Sequence, residues 1–140
     1  MKFRDFFSLK HILFALFLFV VLLPFAFFQS SNMVKVSFGA DSIQATSSKY
    51  SMAIPYADID SAELTELADP GEKLEDGWDD DLLRAGKWHN ETWGEYYICA
   101  DLDTSNCIVI RHNDGRLFVF SRKNDKTTAA LYEELLSHLN

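Results

Sequence analysis

The side chains able to do chemistry are few, and the two cysteines come first. Cys99 and Cys107 lie in a stretch where Tyr96, Ile98, Ala100 and Leu102 alternate with other residues, followed by Ile108 and Ile110. With the isoleucines inward, both thiols point outward, and residues directly opposite on paired strands share a face. A register that sets Cys99 opposite Cys107 leaves apolar Leu102 in the turn. A register that pairs Ile98 with Ile110 gives a polar turn, Asp103–Thr104–Ser105, and separates the cysteines diagonally by about 7–8 Å, too wide for a disulfide. A Cys99–Cys107 bond is therefore a candidate, with two free thiols as its alternative. The four histidines are scattered at positions 11, 89, 112 and 138. Glu134 and His138 share a helix face, but a zinc site takes further protein ligands, and none lies nearby in sequence. No nucleophile-elbow, H-E-x-x-H or phosphate-loop pattern occurs. No metal, cofactor or catalytic set is expected, and the chain reads as a non-enzyme.

Trp78, Trp88 and Trp93 stand within sixteen residues, in or beside the irregular stretch 68–86. They form a candidate ligand or partner patch; half-buried packing under a long loop is the competing expectation. Nine acids and one cation fall between Glu63 and Asp81. Asp79, Asp80 and Asp81 are hard oxygen donors suited to calcium, but the alternating acids of an EF-hand loop are absent. A solvated loop is expected there. Asn90–Glu91–Thr92 matches a glycosylation sequon.

The elements that must hold these residues are short. Met33–Phe38 and Ser42–Thr46 alternate around a Gly39–Asp41 turn, and Tyr50–Tyr56 follows as a third strand. Glycine and charge run through 68–86, after which a three-stranded meander is expected, its last turn marked by Asp114–Gly115. Asn124–Leu139 is an amphipathic helix, capped by Asn124 or Asp125, with Thr128, Leu131, Leu135 and Leu139 on one stripe.

Ahead of this lies Ile12–Phe28, apolar throughout apart from Pro24. Its seventeen residues approach the length of about 20 that crosses a bilayer. It reads as an uncleaved anchor over residues 11–32 rather than a cleaved signal peptide, since no small-residue cleavage site follows. A kink is expected at Pro24. Residues 1–10 form a short basic tail with Lys2, Arg4 and Lys10, so the positive-inside rule places the N-terminus in the cytoplasm and residues 33–140 across the membrane. That domain holds 20 of the 21 acids and 10 of the 13 cations, a net −10. Such a charge excludes nucleic acid as a partner and opposes docking on anionic headgroups.

The order of about seven strands and one closing helix resembles a pleckstrin-homology-like domain, in particular the bacterial families of small membrane-anchored proteins. The residues that carry the likeness are Ile54–Ile59, Gly77, Gly86–Trp88, Trp93–Tyr96, Ile108–Ile110, Asp114–Gly115, Phe118–Ser121 and the stripe Thr128, Leu131, Tyr132 and Leu135. The resemblance implies a mainly β barrel or sandwich with a C-terminal capping helix, and it makes Ala57–Leu67 a fourth strand. It also implies a binding or scaffolding module for protein partners at the membrane. Small-ligand sensing through the tryptophan region is the alternative. Phosphoinositide binding in that family uses clustered cations between the first strands. Here Gly39–Ser51 offers only Lys49, so that function is not expected.

Overall fold

The computed structural model describes residues 9–21 and 34–140. The chain divides into two compact units, Met1–Ser31 and Asn32–Asn140. In the first, residues 9–21 form helix α1. Its side chains are apolar on every face, and large ones such as Leu13, Phe17 and Val20 are exposed. No helix of the described residues is long and apolar enough to cross a membrane. The rest of the expected 11–32 span, including Pro24, lies outside the described residues, as does most of the basic tail.

The second unit is mainly β, with ten strands in two sheets. A three-stranded antiparallel sheet holds β1 (Lys35–Phe38), β2 (Ser42–Thr46) and β3 (Ser51–Pro55). A 3-10 turn at Tyr56–Asp58 leads to β4 (Ile59–Glu66), followed by β5 (Glu72–Lys73), β6 (Trp78–Asp79), β7 (Leu83–Asn90), β8 (Gly94–Asp101), β9 (Asn106–His112) and β10 (Leu117–Ser121). These make a seven-stranded sheet in the order β4-β9-β10-β8-β7-β5, with β6 also on β7. The expected mainly β domain ending in a helix is observed; the count of about seven strands is corrected to ten among the described residues, in two sheets with no closed barrel. The three-stranded meander is corrected as well. β10 lies between β8 and β9, parallel to β8 and antiparallel to β9. The residues after β8 turn beneath the end of β10 instead of folding back: the Thr104 hydroxyl lies 2.8 Å from that of Ser121, and both reach the Asp101 carbonyl.

The seven-stranded sheet is curled rather than flat, because its two outermost strands are joined by only five residues, Leu67–Gly71. A flat sheet of six strands is about 24 Å wide at ~4.8 Å per strand, whereas such a link reaches only about 21 Å when fully extended. The link is also fastened along its way. Leu67 N–H bonds the Ser105 carbonyl, Asn90 Nδ2 donates to Asp69 O, and Tyr96 OH donates to Pro70 O. Gly71 lies at φ 75, with its backbone pressed on the end of β7, where a Cβ would collide with the His89 carbonyl.

Curling gives the sheet two buried faces. One face, with Cys99, Ile108, Ile110 and Phe120, packs on the small sheet through Ile43 and Ile54. The other lines the inside of the curl with Trp88, Tyr96, Ile98, Cys107 and Val119. Helix α2 (Asp125–Leu139) closes the first core through buried Thr128 and Leu135. Its N-cap is Asn124, whose side-chain oxygen accepts Thr127 N–H at 2.8 Å. Near its other end the His138 ring stacks between Phe38 and Tyr56, at centroid distances of 5.1 and 4.9 Å.

Candidate functional site

The register settles where the thiols go. Phe120 is opposite both Cys99 and Ile108, so Cys107, one residue before Ile108, faces the other way. Cys99 belongs to the core between the sheets and Cys107 to the core inside the curl, and both are free. The candidate disulfide fails on geometry: a strand separates the two residues, and the sheet itself lies between their side chains. Burial pushes the Cys99 thiol up to about 11 and the Cys107 thiol up to about 12. Both are therefore protonated at neutral pH, and a protonated buried thiol is neither a nucleophile nor a metal ligand.

The three tryptophans do not form one patch. Trp88 is buried in the curl, its Nε1–H donating to Ala85 O at 2.9 Å. Trp93 packs beside it, edge-on to Tyr96. Trp78 is opposite Ala85, a residue of the first core, and so lies on the other face of the sheet. There it is 38% exposed. The Lys49 ammonium, from the loop between β2 and β3, sits 4.0 Å from the centroid of its ring. The candidate patch of three indoles is not brought together: Trp88 and Trp93 pack in the core inside the curl, as the competing expectation had it, and Trp78 is the indole at the surface.

The acidic loop is ordered by one of its own carboxylates. Asp80 Oδ1 accepts the N–H groups of Leu82 and Leu83 at 2.7 and 2.8 Å. Its Oδ2 accepts Trp78 Nε1–H at 3.0 Å. The hydrogen bond from Leu82, with those from Trp78 and Leu83, holds the Asp80 carboxyl below its ordinary value. Asp79 Oδ1 lies 3.4 Å from Arg84 Nε without hydrogen-bond geometry. That guanidinium instead caps the Trp88 ring at 5.4 Å.

Other titratable groups are tied in the same way. Asp101 is buried and joins three parts of the domain. Its Oδ1 accepts Val34 N–H at 3.2 Å, its Oδ2 accepts Lys123 N–H at 2.8 Å, and Arg122 Nε–H donates to the Val34 carbonyl at 3.1 Å. Burial raises the Asp101 carboxyl above its ordinary value, against the pull of those two amides. His112 stands between Asp114, 2.9 Å from Nδ1, and Asp58, 3.7 Å from Nε2, joining the β9–β10 turn to the 3-10 crossing. Its side chain contacts these two carboxylates, the Asp114 backbone amide and the Phe118 ring.

A cleft of about 580 Å³ opens between the Leu67–Gly71 link and the β7–β8 turn, lined by Asp69, Gly71, Glu72, His89, Asn90, Glu91 and Thr92. The sequon asparagine is 5% exposed. Its Nδ2 donates to Asp69 O and its Oδ1 accepts Trp93 N–H, so the nitrogen that glycosylation would modify is a structural donor in the folded domain. The short-range signal missed in the sequence was Asp80: an aspartate two residues before Leu82 is placed to bond the backbone ahead of it. No family model matches the chain, and no match was found among curated proteins or solved structures.

Proposed function

We propose that this protein is a membrane-anchored, non-catalytic binding module, in which the apolar N-terminal segment embeds in the bilayer and the β-domain meets protein partners at the membrane. The observation that carries this reading is α1. Ten large apolar side chains on this helix, from Leu9 to Val21, are each 40–65% exposed. A helix apolar on all sides needs an apolar surrounding, either a protein core or lipid, and exposure on this scale argues for lipid. The sequence continues the apolar run to Phe28, giving a segment of 17 residues, about 25 Å long as a helix. The basic tail supports an N-terminus in the cytoplasm with the domain beyond the membrane.

The titratable groups support a binding role over a catalytic one. Among the described residues, Asp80, Asp101 and Asp114 are the carboxylates with shifted proton affinity, and each accepts at least one backbone N–H. The likeness to pleckstrin-homology-like domains belongs to the same proposal, supported by the order of strands first and one packed helix last.

Membrane fractionation tests the anchor. The full chain should stay with membranes through alkaline carbonate washing and leave only with detergent. Exchange of residues 11–32 for a polar linker should move it to the aqueous fraction. Carbonate-soluble full-length protein would defeat the reading.

A further inference from the structure

The geometry points to the Trp78–Leu82 surface as a docking site for a protein segment that presents lysine or arginine beside an apolar side chain. This rests on the binding-module reading above and names the partner's chemistry. Among the described residues of the β-domain, Trp78 and Leu82 are the exposed large hydrophobics, at 38% and 59%. Apolar residues scattered singly on a surface need no explanation, but these two are coupled. The Asp80 carboxylate accepts the Trp78 ring N–H through one oxygen and the Leu82 backbone N–H through the other. The Leu82 carbonyl is fixed in turn by Leu102 N–H at 3.0 Å. The turn that presents both apolar side chains is therefore fixed by hydrogen bonds to the Trp78 ring and the Leu82 backbone, and pre-organised apolar anchors bind with little ordering cost.

Charge selects the occupant. Residues 75–81 carry Glu75, Asp76, Asp79, Asp80 and Asp81 and no cation. The cations around this stretch are Lys49 on the indole, Arg84 beside Asp79, Lys73 against Gly77 and Lys87, whose ammonium pairs with Glu95. An anionic lipid or a nucleic acid is repelled, whereas a cationic side chain gains both from the carboxylates and from the face of the ring. The domain already fills that position from within: the Lys49 ammonium occupies the indole face from an exposed hairpin loop. Lys49 thus stands where the partner's cation would sit, and the two compete for one ring.

Binding of a short fluorescent peptide alternating lysine and leucine, with a glutamate–leucine peptide as its counterpart, tests this on the full chain in an uncharged detergent. The lysine peptide should bind, more weakly as salt rises, and the glutamate peptide should not. Leu82→Ser and Trp78→Ala leave the net charge unchanged and should each weaken binding by about tenfold or more. Lys49→Met should strengthen it several-fold beyond Lys126→Met, which removes the same charge from α2. An unbound lysine peptide, equal binding to the Leu82→Ser and unaltered proteins, or equal effects of the two lysine substitutions overturns the proposal. Because detergent replaces the membrane, failed peptide binding with intact membrane retention overturns this surface alone. Carbonate-soluble protein that still binds the peptide overturns only the anchor.

Discussion

The two faces of the seven-stranded sheet are buried by different means. The first is covered by elements far away in sequence: the β1–β3 sheet comes before it and α2 after it. The second is covered by the sheet's own curl, which the short Leu67–Gly71 link holds in place. The first core is therefore wide, and many side chains share its load. The second hangs on a few polar contacts along five residues. Each contains one buried thiol, Cys99 in the first and Cys107 in the second, so the chain carries a native reporter for each core.

The largest effect should come from the wide core. Phe120 is 1% exposed and packs between the sheets. Phe120→Ala should cost about 3–5 kcal/mol, read as a lowered denaturant midpoint. If its neighbours collapse into the space and the loss falls below about 1 kcal/mol, the picture of a tightly interlocked first core is wrong. Next comes the link. Gly71→Ala meets both a positive φ and the His89 carbonyl, and should cost about 2–4 kcal/mol. Its signature is local: alkylation of Cys107 should accelerate more than that of Cys99. Equal acceleration of both thiols would mean that the two cores open together and that the comparison between them is empty.

What could be read from the sequence divides along similar lines. The β9–β10 turn at Asp114–Gly115, where Gly115 has φ 95, and the Asn124 cap of α2 are local devices written in adjacent residues. Helix α2 was legible almost to the residue. The place of β10 was not. Ile108–Ile110 and Phe118–Phe120 are buried on both faces, so alternation carries no information about which side is inward. That ambiguity also misplaced the cysteines: the register argument takes Ile98, Ile108 and Ile110 to share one inward face, whereas Ile98 lies in the second core and Ile108 and Ile110 in the first. In Ala57–Leu67 the apolar residues Ile59, Ala62, Leu64 and Leu67 fit neither the helical nor the strand period, because β4 shifts register between Ile59 and Ser61, and a bulge breaks period-two alternation. The tryptophans looked like one cluster because sequence proximity hides parity: Trp78 pairs with Ala85, an odd number of residues from Trp88, so the two indoles fall on opposite faces.

A smaller change sharpens the comparison without disturbing packing. Tyr96→Phe keeps the ring and removes the hydroxyl that donates to Pro70 O at 2.7 Å. It should cost about 1–2 kcal/mol, because the Pro70 carbonyl loses its buried partner. If the link is what closes the second core, Cys107 should again report the change before Cys99 does. A loss spread evenly over both thiols would assign the hydroxyl to global stability instead.

The smallest expected effect separates the cores by pH. The second core's fastenings, Tyr96 to Pro70 and Asn90 to Asp69, do not titrate in the acid range; burial pushes the Tyr96 phenol up to about 12. The first core's rim is held by Asp101, on the same face as Leu83 and Cys99. Its carboxyl is raised above the ordinary value of about 3.9, so the folded state takes up a proton before the unfolded chain does. By linkage this group favours the fold increasingly as pH falls through its folded value towards about 3.9. Asp80 and Asp114 are lowered, so their contribution is present above about 3.9 and is lost as pH falls through their folded values. The two slopes oppose each other and occupy different windows, Asp101 above the ordinary carboxylate value and the other two below it. Asp101→Asn should destabilise at every pH, because an amide nitrogen then faces the N–H of Val34 or Lys123. The informative quantity is the slope of stability against pH. In the window just above the ordinary carboxylate value it should lose the rise towards acid expected of the unaltered protein. A slope unchanged by the substitution would mean that Asp101 is not the titrating fastening of the first core, and that acid acts on both cores alike.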